Sequence, residues 1–143
     1  AMAAGLALST ESFERFSEAF SEAIKKHLEG KKPIIELMTD GELEASEITL
    51  KNAELLRGAS PWGQGFEEPI FYGDFEIIEQ KIVGEKHLKC TLKLNGASSI
   101  FEGIAFFQDK LKTKQVKAAY KLNVNSFRGN ESLQLMIESI APK

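Results

Sequence analysis

The chain holds one cysteine, Cys90, and two histidines, His27 and His87, in 143 residues. A single cysteine excludes a disulfide within the chain and points to a cytoplasmic setting. Cys90 lies in the alternating run HLKCTLKL, with no base beside it to activate a thiol, and reads as a small core residue. Two histidines leave too few ligands for a two-metal nuclease centre. No paired zinc-ligand spacing, phosphate-binding loop or nucleophile elbow stands among the other residues. No apolar run approaches the roughly 18 residues of a membrane span, and no secretory signal opens the chain. These absences leave a binding module, not a catalyst, with no membrane partner.

What is present describes a folded protein. Hydrophobic residues make up 43% and charged residues 27%, the balance of one domain of ordinary size. The net charge of −3 argues, taken whole, against a nucleic-acid binder. Its distribution argues otherwise. Residues 1–80 hold 7 Lys and Arg against 16 Asp and Glu, and residues 81–143 hold 11 against 5. An acidic front and a basic back suggest a local anion-binding surface.

The front reads as helical. Thr10 is placed to cap a helix that ends at Gly30, with Glu11 and Glu14 at its positive end. Phe13, Phe16, Phe20, Ile24 and Leu28 recur at spacings of three and four and form its apolar stripe. Its polar face is acidic, so it packs on a neighbour and does not seek DNA. His27 near its end reads as solvated. Pro33 breaks the pattern, IIELM (34–38) reads as a short strand, and a second helix is expected over Ser46–Arg57, stopped by Gly58. PWGQGFEEP then reads as a fixed loop, because Trp62 and Phe66 give it something to bury.

From Ile70 the period changes to two. Five strands are expected: Ile70–Val83, Lys86–Leu94, Ser99–Phe107, Gln115–Val124 and Ser132–Ile140. Gly84-Glu85, Asn95-Gly96, QDKLKTK and SFRGNE separate them. In the second, Leu88, Cys90, Leu92 and Leu94 alternate with His87, Lys89, Thr91 and Lys93. In the fourth, Val116, Ala118, Tyr120, Leu122 and Val124 alternate with Lys117, Ala119, Lys121 and Asn123. One face is core and the other is basic. The expected fold is α+β, a five-stranded OB-like β-barrel preceded by two helices. Such barrels bind oligonucleotides on strands 2 and 3 and with the loops joining strands 1–2 and 4–5. The candidate nucleic-acid-binding residues are therefore Lys86, His87, Lys89, Lys121, Phe127 and Arg128. Phe127 either stacks on a base or folds back as a plug over the barrel end. Arg128 either meets a phosphate, stacks on a base, or ties loop carbonyls together.

The segments AMAAGL, LLRGASPWGQGFEEPIF, VGEKHLK, GIAF and AYKLNVNSFRGNESLQLMIE, in unbroken order, resemble the C-terminal part of the bacterial RecJ family of single-strand-specific exonucleases. PWGQGFEEP, HLK and NSFRGNESLQL are the most specific pieces. The family reads closer to Pro-Phe-Gly-x-Gly-Asn-Pro-Glu-Pro over Pro61 to Pro69, so Trp62, Phe66 and Glu67 depart from it while Pro61, Gly63, Gly65, Glu68 and Pro69 fit. The resemblance implies a parent enzyme that degrades single-stranded DNA from the 5′ end, in repair and recombination, with manganese or magnesium at an Asp-His-His core. None of those ligands is among these residues, so no cofactor is expected here and no catalytic residue carries over. Residues 1–32 match the end of the DHH-associated domain, and 33–143 the OB-like domain with its helix at about 46–57. The implied role is to hold the single strand as it enters the active site, with the rest of the parent nuclease as a partner. Two other roles stay open: docking a protein such as the single-strand-binding protein, or closing the nuclease ring as a structural lid.

Overall fold

A computed structural model describes residues 5–28, 36–59, 61–84 and 86–143. They fall into two compact units, Ala1–Leu37 and Met38–Lys143. In the first, a 3-10 turn over Thr10–Ser12 leads into helix α1, Phe13–His27. No side chain caps α1; Ser9 and Ser12 bond each other instead. Lys25, Lys26 and His27 complement the negative end of its dipole. Phe16 stacks on Phe20, and Phe13, Phe20 and Ile24 stay exposed along the stripe. The expected stop at Gly30 lies outside the described residues.

The second unit is a closed barrel of five strands: β1 (Phe71–Val83), β2 (His87–Leu94), β3 (Ile100–Ala105), β4 (Gln115–Phe127) and β5 (Asn130–Pro142). Their order around the barrel is β1-β2-β3-β5-β4. Every neighbouring pair is antiparallel except β3 and β5, which run parallel over Gly103↔Leu135, Ile104↔Met136 and Ala105↔Ile137. β1 serves two neighbours. Its first half pairs with β4, from Phe71↔Tyr120 to Glu76↔Gln115, and its second half with β2, with a register shift between Ile77 and Glu79. Such a bulge bends a strand, which is how one chain segment serves two faces of a small barrel.

The alternation in the sequence predicts the core correctly. Leu88, Cys90 and Leu92 of β2, and Val116, Ala118, Tyr120 and Leu122 of β4, are buried with Phe75, Ile77, Phe101, Leu135 and Ile137. Gly103 sits where strands approach closely: a Cβ there would lie 2.9 Å from Ile137 Cδ1 and 3.2 Å from Cys90 Sγ. The Tyr120 hydroxyl is buried without a hydrogen-bond partner. Burial, then Glu42 and Glu47, push its pKa up to about 12. Burial, with Glu102 adding to it, also lifts the Cys90 thiol to about 12, so it behaves as an inert core residue.

Several bounds differ from expectation, each for a local reason. The second helix, α2, is Leu50–Ala59 and not 46–57. Residues 45–47 form a turn, and Thr49 Oγ1 accepts the Asn52 N–H at 3.2 Å, so the cap lies three residues later than Ser46. Ile48 is buried ahead of the helix, and Gly58 lies inside it. Of the expected strand IIELM, 36–38 form no strand and 34–35 lie outside the described residues. The PWGQGFEEP loop is fixed, but not by burying both aromatics as expected: Trp62 is half-buried and Phe66 is 59% exposed. Gly63 and Phe66 exchange backbone hydrogen bonds, Trp62 stacks on Phe66 at 4.8 Å, and the indole N–H donates to the Leu56 carbonyl near the end of α2. The β4–β5 connection is far tighter than the six residues SFRGNE. Arg128 and Gly129 alone make the turn, with φ of 51° and 82°. Two consecutive positive φ values give the hairpin twist that matches the flanking strands.

Candidate nucleic-acid interface

The outward residues of β2 meet β1 and β3 in register: Lys89 faces Lys81 on one side and Ile104 on the other, and Thr91 faces Glu79 and Glu102. Two like charges directly opposite repel, and Glu102 offsets them. Its carboxylate lies 2.7 Å from Lys89 Nζ and accepts the Thr91 hydroxyl. The Lys89 bond holds the Glu102 carboxyl below its usual range, against the opposing effect of burial.

His87 opens β2, with exposed Lys86 just before it. Its Nδ1 accepts the backbone N–H of Phe107 at 3.4 Å. Its ring meets Phe106 and Phe107 edge-on, at 4.9 and 5.2 Å between centroids. Both phenylalanines were expected in the third strand, but the strand ends at Ala105. Phe107 takes a left-handed φ of 53°, which turns the chain out of the sheet and leaves its ring 80% exposed.

From there the β3–β4 connection follows the second half of β1, beyond its pairing with β4. The Gln80 side-chain amide donates to the Leu111 carbonyl at 2.7 Å and accepts the Leu111 N–H at 2.9 Å, and the Ile77 N–H donates to the Lys114 carbonyl. This anchoring presents Lys110, Lys112 and Lys114, all exposed.

The remaining candidates lie elsewhere on the barrel. The parallel β3–β5 register puts the β4–β5 tip on the side where β3 begins, whereas the β1–β2 turn lies where β3 ends. At the tip, the Arg128 guanidinium sits over the Phe127 ring at 5.2 Å, and Phe127 is 65% exposed, so it does not plug the barrel. Glu131 braces this hairpin by accepting from Arg57 of α2 at 3.0 Å and from the Ser126 hydroxyl. Lys121 stands between Glu68 at 3.3 Å and Glu138 at 3.4 Å. Burial lowers its pKa, but the two carboxylates outweigh burial and the net shift is upward.

The structure thus groups His87 and Lys89 on β2 with Lys86 in the turn before it, and Phe127 with Arg128 on the far hairpin, while Lys121 stands apart between acids. Phe106 and Phe107 at His87, Lys81 opposite Lys89, and the three lysines of QDKLKTK are not singled out as site residues by the sequence reading. The signal was present: three lysines alternating in seven residues, directly after a phenylalanine pair of which a strand can bury only one. Among the described residues no three His, Cys, Asp or Glu side chains gather as a metal-binding group. No described helix is long and apolar enough to cross a membrane.

Comparison with known proteins agrees with this geometry. A family model described as the RecJ OB domain matches residues 39–139. The chain is 43% identical over 147 residues to the single-stranded-DNA-specific exonuclease RecJ of Salmonella typhimurium strain LT2, and 42% identical to that of Escherichia coli K12. Each match covers 99% of this chain and 26% of the relative, so the chain spans about a quarter of these curated relatives. Among solved structures, RecJ of Thermus thermophilus in complex with Mn2+ shares the fold, with a TM-score of 0.57 and 21% identity over 91% of this chain and 20% of that one.

Proposed function

The chain belongs to the RecJ OB-domain family, and on that premise we propose that it is the single-strand-binding, non-catalytic part of a single-stranded-DNA-specific exonuclease. Lys86 in the β1–β2 turn, His87 and Lys89 on β2, Lys121 on β4, and Phe127 with Arg128 at the hairpin tip contact the strand. The longer protein degrades DNA from the 5′ end in cytoplasmic repair and recombination. Its manganese or magnesium sits in a core outside these residues, and residues 1–32 close the DHH-associated domain beside it.

The observation that carries this reading is the set of cations on the barrel that stand outside every ion pair among the described residues. Among the described residues, Lys81, Lys86, Lys93, Lys110, Lys112, Lys114, Lys117 and Arg128 stand in no ion pair. A phosphate backbone supplies an anionic partner, and exposed Phe127 supplies a face for a base. Lys89 and Lys121 exchange a carboxylate for a phosphate when the strand arrives.

The test is titration of the chain with fluorescent single strands at several salt concentrations, together with a degradation assay in manganese and in magnesium. Salt-dependent binding without degradation is expected. Binding that ignores salt, or no binding at low salt, refutes the reading in favour of a docking role toward the single-strand-binding protein or a structural lid. Metal-dependent degradation that persists when His27 and His87 are replaced refutes the non-catalytic assignment.

A further inference from the structure

Phe107 combines two costs that a surface residue without a role rarely carries. It holds a left-handed backbone, which a residue with a Cβ disfavours, and it exposes 80% of a large apolar ring. Phe106 beside it is half exposed. The His87 imidazole meets both rings edge-on and accepts the Phe107 N–H, so both rings and the strained backbone are fixed from one side. Strain held by its surroundings in this way marks functional positions. The neighbouring charge is cationic: Lys86 precedes His87, and Lys110, Lys112 and Lys114 follow Phe107 with Asp109 as the one acid in that connection. Open aromatic faces among lysines suit one kind of partner, an unpaired base on a phosphate backbone.

We propose that the β3–β4 connection is a second base-stacking platform, separate from the Phe127 hairpin, on which Phe107 takes the face of one nucleobase while Phe106 and His87 position its ring. The inference rests on the single-strand-binding reading above, and adds a contact on a connection outside the two loops by which such barrels ordinarily bind.

The experiment uses the whole chain with two labelled probes, oligothymidine and an abasic strand of equal length that carries phosphates but no bases. Phe107→Gly accepts the positive φ and so retains the fold. It should weaken oligothymidine binding roughly 5- to 150-fold, the loss of one stacked base. Affinity for the abasic strand and the salt dependence should not change. Phe107→Trp should bind oligothymidine like the unmodified chain. Equal weakening on both probes, unchanged affinity for oligothymidine in Phe107→Gly, or a tryptophan variant as weak as the glycine variant overturns the platform while leaving the barrel as a strand binder. Failure of the unmodified chain to bind either probe at low salt overturns the underlying reading, and the platform with it.

Discussion

Lysines on this barrel should not contribute equally to strand binding, and the structure ranks them. Each phosphate neutralised on a single strand steepens the fall of log affinity with log salt by about 0.7. Lys110, Lys112 and Lys114 are exposed and in no ion pair among the described residues, so each that meets a phosphate contributes its full share. Lys112→Ala should lower the slope by about 0.7, equivalent to about 2.6-fold less affinity loss between 50 and 200 mM salt. Replacing all three should lower the slope by about 2. Lys121 is different, because Glu68 and Glu138 already lie 3.3 and 3.4 Å from its Nζ. A phosphate must compete with both carboxylates, and little condensed counterion is released in exchange. Lys121→Met should therefore change the slope by well under about 0.7, and should lower stability by leaving two carboxylates facing each other. Fluorescence anisotropy at four or five salt concentrations measures the slopes, and urea melts measure stability. A slope change at Lys121 as large as that at Lys112 would refute the argument that local carboxylates pre-empt its charge.

Four further substitutions probe the hairpin tip and the fold beneath this surface. Arg128→Asn should stabilise by about 1 kcal/mol, because asparagine tolerates the left-handed φ, while reducing the salt slope by about 0.7; a loss of stability would instead make Arg128 a structural tie. Tyr120→Phe removes a buried hydroxyl that bonds nothing and should stabilise by about 1–3 kcal/mol in a thermal melt. Because the folded-state pKa values of Tyr120 and Cys90 are raised to about 12, the stability they contribute is complete below their ordinary values and is lost as pH climbs toward 12, so the phenylalanine variant should also resist alkali better. Gly103→Ala should destabilise by about 1–3 kcal/mol, and adding Ile137→Val, which removes the clashing Cδ1, should recover part of that in a double-mutant cycle.

The barrel was legible because period-two alternation in β2 and β4 reports burial directly: Leu88, Cys90 and Leu92 went inside and Lys89 outside without reference to any partner. Short-range chemistry at the ends was harder to read. Arg128 takes a backbone usually left to glycine or asparagine, so a two-residue turn hid inside six polar residues. Phe106 and Phe107 look like the end of a strand until His87, some twenty residues earlier, claims the Phe107 N–H. The electrostatics depended on register. Glu102 reaches Lys89 because β2 and β3 pair at one offset, and Glu68 reaches Lys121 from a loop more than fifty residues away. The basic back half of the chain therefore overstates its free charge, and which lysines are neutralised follows only from the fold.

The parallel seam between β3 and β5 has a kinetic consequence. It joins the strands through only three registered positions, while β4 and β5 match along most of their length. A hairpin such as β4–β5 closes through local contacts, but the seam needs residues about thirty positions apart and needs the last strand in place. Closure is therefore expected late in folding, and opening along Gly103–Ala105 is expected to cost less than opening the β4–β5 ladder. Amide protons at Gly103–Ala105 and Leu135–Ile137 should exchange ahead of those in the β1–β2 ladder, and a chain ending before Leu135 should form hairpins that never become a barrel.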